Sequence, residues 1–283
     1  MRIANLKGRA QIVADGQVFD LEGASGGQFG PDLQAVYGAW GEVRSWAASA
    51  QLDGGLPLET TRLDNPVPSP RQVIAVGLNY REHAEETGLA APKDLPPIFT
   101  KFVSSLTGPE GVVELPPNGH TDWEIELGVV IGKPAHQIHQ HDAWLHVAGL
   151  TAVQDLSERI LQHIGPAPQF SLGKSYPNFT PVGPMVVSID EFDDPDDLGL
   201  SCAINDETVQ NSRTSDLIFP VPALISRLSA VLTLYPGDLI LTGTPAGVGM
   251  GRKPQRWLQP GDVLTSRIEN IGALTQRFTA ATS

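Results

Sequence analysis

Three carboxylates and one histidine–glutamate pair have the residue types and spacing that suit chemistry. Glu124 and Glu126 sit in WEIELGVVIG, an apolar run with the length and flanking glycine of a strand. Side chains two apart on a strand leave the same face, so both carboxylates aim at one point while Ile125 and Leu127 pack on the other side. Carboxylates held about 7 Å apart along a strand repel each other unless a proton or a cation lies between them. Taken alone, the pair reads equally well as two solvated acids on an exposed face. A third acid shifts the balance: Asp155 closes the apolar run GLTAVQDL just before the polar turn Ser157-Glu158-Arg159, where a strand tip can deliver a ligand. Three carboxylates without a supporting cysteine or histidine set suit a hard cation, magnesium or manganese, and disfavour zinc. His83 and Glu86 stand three apart in NYREHAEETG. On one helical turn they lie side by side, and the carboxylate can orient the imidazole as a general base. A His-x-x-Glu is also what a solvated helix face carries.

Other conspicuous residues support weaker chemistry. His136, His139 and His141 lie in a polar turn without zinc-ligand spacing and read as a solvated connection. LTGTPAGVGMG follows a strand but lacks the GK[ST] ending of a phosphate loop and the helix of a dinucleotide fold. Its glycines are expected to let the backbone approach a ligand closely, with Thr244 as a hydroxyl donor. Cys202, the only cysteine, reads as a buried structural thiol. Trp123 is as readily a core residue as a stacking surface. The segment DEFDDPDD holds six of the chain's 32 acids, yet it lacks the spaced ligands and central glycine of a calcium loop, so a solvated turn between strands is expected.

The elements that must position these groups follow from length and composition. A chain of 283 residues favours one dominant domain with a small appendage. The 32 Asp and Glu against 19 Lys and Arg give a formal charge of −13, which disfavours nucleic acid and anionic membranes as partners. One cysteine, no leader-like apolar stretch and no spanning segment suggest a cytoplasmic protein. The 29 glycines and 24 prolines are spread along the chain, indicating many turns between short elements. Lys7-Gly8 and Asp15-Gly16 punctuate short strands over residues 1–22, and residues 32–48 have helical spacing behind an Asp32 cap. LETTRLDNPVPSP reads as a linker, which divides the chain into 1–70, a small N-terminal domain and linker, and 71–283, the catalytic domain. Beyond it, QVIAVG reads as a strand, and a brief helix is expected between Asn79 and Gly88. Two further helices are expected, over 142–147, capped near His139, and over 221–232. The rest alternates short apolar runs with turns, an α+β pattern dominated by sheet.

In this order the segments resemble the fumarylacetoacetate hydrolase family, specifically its C-terminal catalytic domain. The resemblance runs from about Val73 to Phe278 and rests on VGLNYREHAEE, FTKFVSSLTG, DWEIELGVVIGK, VQDLSERILQ, GKSYPNFTPVGP, TSDLIFPVPALI, YPGDLILTGTPAGVG and PGDVLTSRIENIG. It implies a β-rich, mixed-sheet β-roll with a small N-terminal domain, usually dimeric, and magnesium or manganese held by Glu124, Glu126 and Asp155. Lys174 and Thr244 match substrate-contacting residues, Arg159 and Gln162 fall in the motif after the third ligand, and His83 and Glu86 match the pair of a lid that orders over substrate. The implied reaction is hydrolysis of a 2,4-dioxo acid, an acylpyruvate or sugar-derived diketo acid. His83, assisted by Glu86, deprotonates a water that attacks carbon 4, releasing pyruvate and a carboxylic acid. An oxaloacetate-type decarboxylase and a 2-hydroxyhepta-2,4-diene-1,7-dioate isomerase are the rival readings on the same site. A metal-dependent binding protein is disfavoured because the acids and the pair are intact. The chain departs from the family pattern at Tyr176-Pro177-Asn178, where Phe-Asp-Gly is common, and at Ile160, where an acid is common. Both departures are expected beside the substrate pocket.

Overall fold

The run IELGVVI forms the strand Ile125–Ile131, every residue of it buried. Its odd positions, Ile125, Leu127, Val129 and Ile131, enter one apolar core, whereas Val130 enters a second core on the opposite face. Burial on both faces explains why the sequence reads as nearly continuous apolar residues. Gly128 separates the carboxylates from Val130 because a Cβ there would lie 2.6 Å from the Val153 side chain.

The computed structural model describes residues 1–88 and 90–281. Among these, Ile125–Ile131 lies in a twelve-stranded mixed sheet, between Val147–Gln154 on one side and Leu239–Leu241 on the other. Val73–Val76 and Ile98–Thr100 continue the sheet beyond Leu239–Leu241, and Thr180–Ser188 continues it beyond Val147–Gln154. A five-stranded sheet, ordered Glu207–Arg213, Gly199–Ile204, Val263–Ile268, Gly272–Ala280 and Glu110–Leu115, supplies Cys202, Ile204, Leu264, Leu274 and Phe278 to the core shared with Ile125 and Leu127. Helices are few and short, so the fold is the α+β, sheet-dominated one expected. No helix among the described residues is long and apolar enough to cross a membrane.

The first 70 residues add strands to this sheet. Lys7 and Gly8 (φ 55° and 77°) turn Arg2–Leu6 into Arg9–Ala14, and Asp15 and Gly16 (φ 48° and 72°) turn that strand into Gln17–Asp20. Positive φ at both central residues gives the hairpin twist that paired strands require. Arg2 and Ile3 pair with Val187 and Val186, and Tyr37 and Trp40 share a core with Val73, Val130 and Leu239. The stretch read as a linker includes a strand, Leu63–Asp64, paired with Arg2–Leu6, and Tyr37 Oη donates to the Pro66 carbonyl at 2.8 Å. Residues 1–70 and 71–283 therefore share a sheet and a core.

Several element expectations need adjustment. The single helix over 32–48 is two, Leu33–Gly38 and Trp40–Ala47, the first capped by Asp32, which accepts from the Gln34 amide. The helix behind QVIAVG is Arg81–Glu86, and Asn79 does not cap it. Asn79 is buried, donating to the Phe219 and Thr242 carbonyls and accepting from the Phe219 amide, so it bolts the turn ahead of the helix to the body. A 3₁₀ segment, Gln140–His146, follows His139, and the last helix is Val221–Ser229. DEFDDPDD does connect two strands, with Glu191 paired to the Met1 amino group at 2.6 Å and Asp197 to Arg213 at 2.6 Å.

Candidate active site

Strand parity brings the carboxylates together. Glu124 immediately precedes Ile125–Ile131, Glu126 is its second residue, and Asp155 follows Val147–Gln154, its amide donating to the Glu124 carbonyl at 2.9 Å. All three are buried, and one oxygen from each lies within 4.8 Å of the others.

Three buried cations answer them. Lys174 Nζ bridges Glu124 and Asp155 at 2.6 Å each, Lys101 Nζ contacts Asp155 and the Phe179 carbonyl, and Arg159 Nη2 lies 2.7 Å from Glu124 and 2.8 Å from Asp122. Burial alone would raise Glu124, but Lys174 and Arg159 outweigh it and hold this carboxyl far below the usual range. Lys174 is raised in turn, since Asp155 and Glu124 outweigh its burial, whereas burial dominates at Lys101 and lowers it. Among the described residues Glu126 makes no ion pair; its polar partner is the Gly243 amide at 2.7 Å. Burial, Asp155 and Glu124 push its carboxyl well above the ordinary value. A third carboxylate without a cation, beside two that share theirs, is a donor set that fits a hard divalent ion.

Two glutamines and a glycine-rich loop hold this cluster. Gln154 Oε1 accepts from the Glu124 amide at 3.0 Å, and Gln210 Oε1 accepts from the Ile125 amide at 3.1 Å, satisfying backbone donors at the strand's start. The loop 243–251 directs its amides at carboxylates: Gly243 to Glu126, Gly247 to Glu86 at 2.9 Å, and Gly249 and Met250 to Asp122. A Cβ at Gly247 (φ 109°) would overlap the Val209 carbonyl, and one at Gly251 would lie 2.7 Å from Glu86. These two glycines thus admit protein groups, which corrects the expectation that the loop's glycines admit a ligand. Thr244 lines the cavity, but its hydroxyl donates to the Ile125 carbonyl at 2.9 Å and accepts from Gln210, so the proton expected for a ligand is engaged within the protein.

His83 and Glu86 meet as expected, with Nδ1 2.8 Å from Glu86 Oε1. An ionised Glu86 makes Nδ1 the donor and leaves the neutral ring's lone pair on Nε2. A cavity of about 60 Å³ joins His83 to Glu124, Glu126, Arg159, Gln162, Lys174 and Thr244. Asp155 lies behind this wall, tied to Lys101 and Lys174. Arg159 donates through Nη1 to Gln162 at 2.9 Å, so both help frame the cavity. Ile160 and Tyr176 do not line it, although each lies within two residues of one that does, Arg159 and Lys174. Arg159, Gln162 and His163 share one helical face, i, i+3 and i+4, while Ile160 points outward and is half exposed. Tyr176 packs on Phe179 with ring centres 5.2 Å apart.

The remaining sequence candidates take structural places. Trp123 is fully buried, its Nε1 donating to the Gly247 carbonyl. Cys202 is buried, and burial pushes its thiol up to about 12. His136, His139 and His141 lie outside the cavity. Sequence reasoning missed Lys101, Asp122, Gln154, Gln210 and His163, although DWEIE and AVQDL place Asp122 and Gln154 beside recognised groups and FTKF is itself a recognised motif.

A family model described as fumarylacetoacetate (FAA) hydrolase, C-terminal, matches residues 72–279. The chain belongs to that family. It is 43% identical to the 2,4-didehydro-3-deoxy-L-rhamnonate hydrolase of Sphingomonas sp. (strain SKA58), over 94% of this chain and 90% of that protein. It is also 43% identical to the mitochondrial oxaloacetate tautomerase FAHD2A of Homo sapiens, over 82% of this chain and 73% of that one. The crystal structure of maleylpyruvate hydrolase from Sphingobium sp. SYK-6, in complex with manganese(II) and pyruvate, superposes with a TM-score of 0.79 at 28% identity, covering all of both chains.

Proposed function

We propose that this protein is a divalent-metal-dependent hydrolase that cleaves the bond between carbons 3 and 4 of a 2,4-dioxo acid, an acylpyruvate or sugar-derived diketo acid, to pyruvate and a carboxylic acid. The observation that carries the reading is the shared cavity: a histidine with Nδ1 committed to Glu86 and Nε2 free of partners among the described residues faces a space walled by Glu124, Glu126 and Lys174. Relatives named as a sugar-acid hydrolase and as a manganese-containing hydrolase with pyruvate support the substrate class and the metal.

Glu124, Glu126 and Asp155 would hold magnesium or manganese, which when bound supplies positive charge against the negative charge that develops on the 2-oxo acid. His83 Nε2 takes a proton from water, and Glu86 stabilises the imidazolium that results. The hydroxide adds to carbon 4, the carbon 3–carbon 4 bond breaks with its electrons moving to carbon 3, and a proton returned there gives pyruvate. Lys174 and Arg159 supply charge-assisted donors for the substrate's anionic end. A pocket closed over charged groups strengthens each of these interactions.

A second reading, the oxaloacetate-type tautomerase or decarboxylase, is favoured by one feature. A relative 43% identical to this chain is named as an oxaloacetate tautomerase. On that substrate His83 would move a proton at carbon 3 without water addition. We further propose that the protein works as a homodimer, which rests on the family resemblance, and in the cytoplasm, which rests on its single cysteine. The test is a panel of 2,4-dioxo acids and oxaloacetate with purified protein and magnesium. Pyruvate together with a carboxylic acid supports the hydrolase, carbon dioxide from oxaloacetate or accelerated enol–keto conversion of it supports the rival, and no turnover of any member rejects both.

A further inference from the structure

His163 is a titratable side chain on the cavity wall that the proposed chemistry does not use. It is exposed at the rim, one residue beyond Gln162, at the end of the short helix Arg159–Gln162. Two contacts fix its ring. Nδ1 lies 2.8 Å from the Arg159 carbonyl, and the ring packs on Phe170 with centres 6.2 Å apart. A carbonyl oxygen only accepts, so Nδ1 carries the hydrogen, and the neutral ring's lone pair is on Nε2. Among the described residues Nε2 has no protein partner.

The rest of the wall away from the carboxylates is largely apolar: Val76, Phe99, Phe170 and Met250. Thr87 is also there, but its hydroxyl donates to helix carbonyls of His83 and Ala84, at 3.0 Å each. His163 therefore offers an acceptor where the far end of a substrate would emerge, in surroundings that otherwise favour carbon. A neutral Nε2 rewards a donor: a hydroxyl can satisfy it, whereas a methyl leaves it unused and a second carboxylate meets it lone pair to lone pair.

We propose that His163 sets substrate preference by accepting a hydrogen bond from a hydroxyl on the carbon beyond carbon 4, so that the protein favours hydroxylated, sugar-derived diketo acids over plain acylpyruvates. This rests on the hydrolase reading. The test compares 5-hydroxy-2,4-dioxopentanoate with 2,4-dioxopentanoate, a pair that differs by that hydroxyl, following pyruvate release at pH 8 with magnesium. A hydrogen bond at an accessible rim predicts a preference of about 2- to 10-fold in kcat/KM, expressed mainly in KM. His163→Phe removes the preference by raising KM for the hydroxylated substrate, while His163→Gln, which keeps an acceptor oxygen, retains part of it. A preference that survives in His163→Phe overturns the proposal. So does an equal loss on both substrates, which would show that the ring serves to hold Arg159. If the wild-type protein turns over neither compound, the hydrolase reading itself fails and this proposal falls with it.

Discussion

Asp122 makes a severe test of how the site is built. Its carboxylate is fully buried: Oδ1 accepts from the Trp123 amide at 2.9 Å and the Gly249 amide at 2.6 Å, and Oδ2 from Arg159 Nε at 2.9 Å and the Met250 amide at 3.0 Å. Asp122→Asn preserves shape and replaces one acceptor by a donor. Whichever way the amide turns, its NH2 faces two donors, and among the described residues Arg159 keeps only Glu124 as an anionic partner. Breaking a buried pair in this manner costs about 3–5 kcal/mol. At roughly 2–4 °C per kcal/mol for a chain of this size class, the midpoint of thermal unfolding should fall by about 6–20 °C. The measurement is a metal-free melt followed by circular dichroism, with Asp53→Asn at an exposed position as the control. A change of less than about 2 °C would refute the view that Asp122 couples the glycine loop to Arg159.

Other expectations are more local. Glu126→Gln should abolish the rise in melting temperature that magnesium gives the wild type, about 2.7 kcal/mol of stabilisation at a hundredfold excess over Kd, and a full shift in the variant rejects the metal site. His83→Ala should lower turnover by roughly 10²- to 10⁴-fold while the magnesium-dependent shift persists; unchanged hydrolysis would remove His83 as the base. Glu86→Gln should cost about 10- to 100-fold in kcat, since it removes the charge that stabilises the imidazolium, and activity equal to wild type would contradict that role. Cys202, with its thiol pushed up to about 12 by burial, should resist a thiol-specific reagent at pH 8 in the native protein and react fully in denaturant.

What the sequence discloses and what it conceals divide along sequence distance. Parity along one strand is local, so Glu124 and Glu126 emerge on a shared face as expected, and His83 and Glu86 meet because three residues span one helical turn. The groups that stabilise them arrive from afar. Gln210 reaches Ile125 across 85 positions, Lys101 reaches Asp155 across 54, and Gly249 reaches Asp122 across 127. No periodicity encodes such pairings. The glycine loop was expected to approach a ligand because glycine density shows that something comes close without showing what; here it is Glu86 and the Val209 carbonyl. Ile160 is expected beside the pocket from its place in a motif, and helical geometry turns Arg159 and Gln162 into the cavity wall and Ile160 away from it. The linker reading failed for a related reason: Pro-rich and polar residues do mark turns, but Leu63–Asp64 between them still pairs with the first strand.

The central claim is that one cavity combines a dication on three carboxylates with a histidine base to hydrolyse a carbon–carbon bond. The most direct measurement is product stoichiometry from 2,4-dioxopentanoate, by parallel assay of pyruvate and acetate, before and after chelation of divalent metal. Equal amounts of pyruvate and acetate, lost on chelation and restored by magnesium or manganese, are the predicted result. Pyruvate and acetate release undiminished by chelation, or substrate loss that yields no acetate, would contradict it.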